Sequence, residues 1–257
     1  MIVLSVCSLK GGVGKTSVTL GLAAAALRRG IATLVVDLDP QADATSGLDV
    51  TARRPHDLAA VLATPKRKVV DGAVAPSGWA GDHPGQLDVL VGSGSSALRD
   101  DPEVTGRALQ VLSTALRKAP EHDLVLLDCP PSLGALTRSA WACSDAALVV
   151  SDAGRFSVAA VDRTLRELAA QDGAARPLGV VVNRYLPRSP EQRFRHDELR
   201  ELVGELLLPP VPERAAIQQA QGAGVPLHAL RGAAARELCA TFDDLLGRVL
   251  AVSPAGR

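Results

Sequence analysis

Short, mostly apolar runs recur along the chain and alternate with longer stretches in which Ala and Leu fall at helical spacing. Residues 1–6, 31–36, 87–91, 124–127, 146–150 and 178–182 each predict a short strand, those at 31–36 and 124–127 buried on both faces. Residues 17–27, 103–119, 136–143 and 157–170 predict helices. Arg28 and Arg29 before Gly30 mark the end of the first, and Pro120 the end of the second. Leu238, Phe242, Leu245, Leu246, Val249 and Leu250 give a closing core helix. The alternation predicts an α/β fold, a doubly wound and mostly parallel sheet with helices on both faces. No linker, repeat or low-complexity tract divides the chain, so a single domain over 1–257 is expected. Residues 51–86 carry no clear period, and Gly92 to Ser96 read as a loop.

The first strand runs directly into Lys10-Gly11-Gly12-Val13-Gly14-Lys15-Thr16, and a helical stretch opens at Ser17. Strand, glycine-rich loop and helix start together make a phosphate cradle, because the first helical amides lack intrahelical partners and the helix dipole adds positive charge there. Lys15 would reach the β- and γ-oxygens of a triphosphate, and the Thr16 hydroxyl would ligate Mg²⁺. Two further strands deliver acids at their carboxyl ends, where open α/β sheets bind ligands. Asp37 and Asp39 follow 31–36, and Asp128 follows 124–127. Either pair of roles, turn capping or metal and water binding, suits such acids; beside a phosphate loop the second is expected.

KGGVGKT resembles the deviant Walker A motif of the ParA/MinD family, VVDLDPQADATSGL resembles its second motif, and LLDCPPSLGALT is similar to its third. The resemblance covers nearly the whole chain and implies a P-loop ATPase using ATP and Mg²⁺. It implies phosphate contacts from Gly11, Gly12, Val13, Gly14, Lys15, Thr16 and Ser17, and Mg²⁺ held by Thr16 directly and by Asp37 and Asp128 through water. Asp39 would place the attacking water, with Lys10 and Lys15 offsetting phosphate charge. Lys10 would do so across a homodimer that sandwiches two ATP. Asn183 is either a turn residue or an amide facing adenine, and Pro212 would pack around the base. Ala42-Asp43 departs mildly from the family pattern. Ser151 to Phe156 departs further, lacking the usual proline and glutamate.

The family binds DNA without sequence preference in its ATP state, and a ParB-like partner stimulates slow hydrolysis and release. Here the formal net charge is zero and only three Phe, two Trp and one Tyr are present, so DNA binding would need a local patch and no base-stacking platform is expected. Arg188, Arg193, Arg195 and Arg214 are the candidates for contacting phosphates, while Ala216 stands where the family carries a second DNA-binding arginine. Arg53, Arg54, Lys66, Arg67 and Lys68 form either a solvated face or a phosphate contact.

Cys7, Cys129, Cys143 and Cys239 form no C-x-x-C, which argues against a cluster-bearing reductase and for buried free thiols. No apolar run is long enough to span a bilayer, and the chain shows no signal peptide or preceding helix-turn-helix segment, so a cytoplasmic, nucleoid-associated protein is expected. The tail, with Asp243 and Asp244 and the stretch 252–257, lacks the basic amphipathic helix of a membrane-binding MinD. A MinD-like or orphan positioning ATPase acting on a membrane or protein surface is the alternative. An amidotransferase or ligase of cofactor synthesis would need a substrate pocket and often a further catalytic domain, for which no separate sequence is evident.

Overall fold

The computed structural model describes residues 1–81 and 86–254; the last three residues of the tail lie outside them. The strands are β1 Ile2–Cys7, β2 Thr33–Asp37, β3 Val74–Pro76, β4 Leu87–Leu90, β5 Leu124–Asp128, β6 Ala146–Asp152 and β7 Arg176–Asn183. The helices are α1 Lys15–Arg28, α2 Asp43–Gly47, α3 Leu58–Ala63, α4 Arg67–Ala73, α5 Val111–Leu116, α6 Ala135–Cys143, α7 Arg155–Ala170, α8 Pro190–Val203, α9 Ala215–Ala223 and α10 Ala233–Leu250.

The strands lie in the order β3-β4-β2-β5-β1-β6-β7, all neighbours parallel except β3 with β4. Strand side chains alternate between faces, and two apolar clusters result. Leu4, Val6, Leu124, Leu126 and Leu148 pack against α1, α9 and α10. Val3, Cys7, Val125, Leu127 and Val149 pack on the other face against α3 to α8. Cys7, Cys129 and Cys143 are buried, Cys7 and Cys129 as free thiols, and burial pushes the Cys7 thiol up to about 11. Phe242 of α10 presses on α1 at Gly21, so the closing helix spends its apolar face on the core.

Two expectations are corrected, and one unread stretch is resolved. Residues 103–119 are not one helix: a turn of 3₁₀ helix at Gly106–Gln110 precedes the short α5. Gly106 has φ +61, a left-handed conformation that no α-helix continues through. The loop expected after β4 becomes a 3₁₀ helix, Gly94–Arg99. In the stretch that had no readable period, α3, α4 and the antiparallel edge strand β3 form; Asp57 caps α3 by accepting from the Ala60 amide at 2.9 Å.

Candidate functional site

The loop between β1 and α1 is built by backbone conformation. Gly14, at φ +88, opens α1, and no side chain caps the helix start, so its first amides remain free for an anion. A Cβ at Gly14 would lie 2.2 Å from the Asn183 amide nitrogen, which explains the glycine sterically as well. Val13 is fully buried and anchors the loop, and the Lys15 side chain is buried beside it.

Register brings the acids together. β2 pairs with β5 so that Asp37 lies opposite Asp128. Asp128 accepts from the Thr16 hydroxyl at 2.8 Å and, through its other oxygen, from Thr19 at 2.9 Å. Asp37 accepts from the amide and hydroxyl of Thr45 at 2.7 and 2.6 Å with one oxygen, while Oδ1 is buried without a partner. Burial pushes the Asp37 carboxyl up to about 6, with the Thr45 hydrogen bonds opposing it. Burial and the charge of Asp37 push Asp128 to about 7. Two desolvated carboxyls, one with an orphaned oxygen and the other bonded by the Thr16 hydroxyl, fit a divalent cation, which would offset their mutual repulsion. Among the described residues no group of three or more His, Cys, Asp or Glu could hold a metal ion, so Mg²⁺ at this place would draw further ligands from water and phosphate oxygens.

A cavity of about 590 Å³ opens beside these groups, lined by Gly12, Gly14, Lys15, Thr16, Ser17 and Asp39 together with Ser46, Pro131 and Gln221. Its size is in the range of small-molecule sites. Asp39 stands half-exposed on its wall, one oxygen accepting from the Gln41 amide at 3.0 Å.

Lys10 turns elsewhere. Its amine donates to both oxygens of Asp152 at 3.1 and 3.0 Å and to the Ser157 hydroxyl at 2.6 Å. Asp152 also accepts from Ser157 and from the Gly154 amide, and these bonds with Lys10 hold its carboxyl below the usual range against the opposing effect of burial. The Arg184 guanidinium, on a residue with φ +55, bonds the Gly12 carbonyl and lies 4.0 Å from Asp152. Asn183 donates its amide to the Val13 carbonyl at 3.0 Å and keeps Oδ1 buried and unpartnered, so its contact here is with the loop. Pro212 is half-buried, bridged to Tyr185 at the end of β7, and does not line the cavity.

The expected DNA-contacting arginines separate into two kinds. Arg188 and Arg193 are exposed and make no ion pair among the described residues. Arg195 is held by Glu191 and Glu198, both at 2.7 Å, and Arg214 is bidentate with Glu237 at 2.7 and 2.8 Å. Sequence reasoning missed Thr19, Thr45, Asp152, Ser157, Arg184 and Gln221. Thr45 sits inside the second motif and Thr19 one turn past Thr16, which could have flagged them; the others offer no local signal.

A loop of this shape, paired strand-end acids and a sheet of this order define a P-loop nucleotide-binding protein of the deviant Walker type. Comparison with known proteins narrows the class. The family described as an AAA domain matches residues 1–172. The chain is 31% identical over 258 residues to the chromosome-partitioning ATPase Soj of Thermus thermophilus, covering 96% of each chain. Among solved structures, an ATP complex of McdA from Cyanothece superposes with TM-score 0.83 at 19% identity, covering 100% of this chain and 99% of that one. Cobyrinic acid a,c-diamide synthase from Mycobacterium smegmatis, with ADP and magnesium, shares the fold at TM-score 0.75 and 24% identity, covering 96% and 94%. The chain belongs to the ParA/MinD family of partition ATPases.

Proposed function

We propose that this chain is an ATPase that dimerises on ATP, binds duplex DNA without sequence preference in that state, and positions a plasmid, chromosome or other cargo. Hydrolysis is slow and is stimulated by a ParB-like or other partner protein; the protein works in the cytoplasm on the nucleoid. The observation that carries the nucleotide chemistry is the convergence of Thr16, Asp37 and Asp128 beside a loop whose helix amides are free.

The loop amides and Lys15 hold the triphosphate and stabilise charge on it. Thr16, with Asp37 and Asp128 behind it, would hold Mg²⁺, which would supply neutralisation of phosphate charge. Asp39, on the cavity wall, orients a water for in-line attack. Lys10 leaves Asp152 and crosses to the nucleotide of a second copy, so the Asp152 and Ser157 contacts describe a resting position of that side chain. Asn183 meets the base through its unpartnered Oδ1, an acceptor suited to an exocyclic amine, and Pro212 packs nearby.

DNA contact falls mainly to Arg188 and Arg193. Arg195 and Arg214 join only if their carboxylates are exchanged for phosphate, and that neutralisation favours the second reading, a positioning ATPase acting on a protein surface. The apolar face of α10 is spent on the core, so that helix does not offer it to a membrane surface. The test is light scattering with Mg²⁺ and ATP: Asp39→Ala should accumulate a dimer that ADP does not support, and Lys10→Ala should bind ATP as a monomer. Dimerisation indifferent to nucleotide would contradict the proposal.

A further inference from the structure

Thr16 and Ser17 are consecutive on α1, so their side chains leave the helix about 100° apart. Thr16 points to Asp128 and the metal side. Ser17 points the other way, where its hydroxyl accepts from the Gln221 amide at 3.0 Å. A Cβ at Gly14 would lie 3.7 Å from the Ser17 hydroxyl and 2.2 Å from the Asn183 amide, so these groups flank the same stretch of loop. Thr16 lines the cavity with Asp128 behind it, and Ser17 and Gln221 line it from another side of α1. Terminal phosphates belong beside Thr16 and the acids, which leaves the Ser17 and Gln221 side for the sugar.

Gln221 lines that cavity from the last turn of α9. Its position is fixed from several sides. Ala216 and Ala220 are buried beneath the helix, Gly224 closes it in the left-handed conformation, and the Trp79 indole donates to the Gly224 carbonyl at 2.9 Å. The amide nitrogen of Gln221 is committed to Ser17. Its carbonyl oxygen has no hydrogen-bond partner among the described residues and is not among the buried unpartnered atoms, so an acceptor remains available on the side left for the sugar.

Building on the nucleotide-site reading above, we infer that Gln221 recognises the ribose of the bound nucleotide, its carbonyl oxygen accepting from a sugar hydroxyl while its amide holds Ser17. A site that hydrogen-bonds a hydroxyl rejects the analogue lacking it, because the acceptor is then left unpaired. Gln221 thus makes α9 part of the nucleotide site and a determinant of ribonucleotide preference.

The experiment is calorimetric binding of ATP, 2′-deoxy-ATP and 3′-deoxy-ATP, with Mg²⁺, to the unsubstituted protein, Gln221→Ala and Gln221→Leu, alongside their melting temperatures. The unsubstituted protein should bind ATP about 3- to 10-fold more tightly than at least one deoxy analogue, a hydrogen bond's worth. Both variants should melt normally, bind ATP weaker by a similar factor, and show no discrimination. Equal binding of all three nucleotides by the unsubstituted protein, or discrimination retained in both variants, would overturn the inference while leaving the nucleotide site intact. Failure of the unsubstituted protein to bind ATP at all would overturn the site reading and the inference with it.

Discussion

Asp152 competes with any anion that would draw Lys10 away from its own chain. The pair is only partly buried, with side chains 29% and 24% exposed, so its worth is at most about 1 kcal/mol. That is enough to matter for a self-association in which both protomers must release a lysine. Asp152→Ala should form the ATP-bound dimer at about 5- to 10-fold lower protein concentration in sedimentation; an unchanged dimerisation constant would show that the contact is no restraint. On the cavity wall, Asp39→Ala should keep its ATP affinity and lose about 10²- to 10⁴-fold in turnover, read by phosphate release. Full turnover in that variant would remove Asp39 from the chemistry. Lys15, Thr16, Asp37, Asp39 and Asp128, which the structure gathers around one loop and cavity, stood out in the sequence because phosphate and metal binding call for particular residue types at fixed spacing. Lys10 stood out only through the resemblance to the family motif, and its side chain lies on Asp152. Asp152 and Gln221 did not stand out, since each acts on the loop from more than a hundred residues away, joined only by tertiary packing.

The ends of β2 and β5 should make the nucleotide-free protein pH-dependent. Asp37 and Asp128 both titrate above their ordinary value of 3.8, near 6 and 7, so the fold favours their protonated forms. Their contribution is full below about pH 4, declines as pH rises above that, and is lost once pH passes 6 to 7. Without Mg²⁺ or nucleotide, the melting temperature should fall over this range, and Asp128→Asn should flatten the slope; a slope unchanged in that variant would place its origin elsewhere. A second element-level link joins the segment after β4 to the start of α6. Asp100 accepts from Ser132 at 2.5 Å and from the Leu136 amide at 3.0 Å, capping α6 just beyond the Asp128 strand. Asp100→Ala should cost about 1 kcal/mol in denaturant unfolding. The parallel strands were readable because burial on both faces leaves continuous apolar runs. β3 was not, because three residues at a sheet edge are too few for a period, and α5 was overextended because Gly106 bends a chain whose composition is otherwise helical.

Across the molecule, a formal charge of zero gives no general attraction to nucleic acid. Any DNA binding must come from a few arginines gathered by dimerisation, and it should be weak in the monomer and steeply salt-dependent. Arg188→Ala with Arg193→Ala should weaken binding across unrelated sequences and reduce the salt slope by about one for each phosphate no longer neutralised. The helix-flanked, mostly parallel sheet could be anticipated from the alternation of runs, while the strand order could not. The Arg195 pairs, at helical spacing to Glu191 and Glu198, were within reach of the sequence, whereas the pair of Arg214 with Glu237 shows only once α10 is in place. The most direct measurement is binding to nonspecific duplex DNA with ATP, with ADP and without nucleotide, at low and moderate salt, using Asp39→Ala to hold the ATP state. Binding confined to ATP and weakened by salt is the predicted result. A nucleotide-dependent dimer that binds DNA in none of these states would contradict the DNA-positioning role and leave the ATP switch acting on another surface.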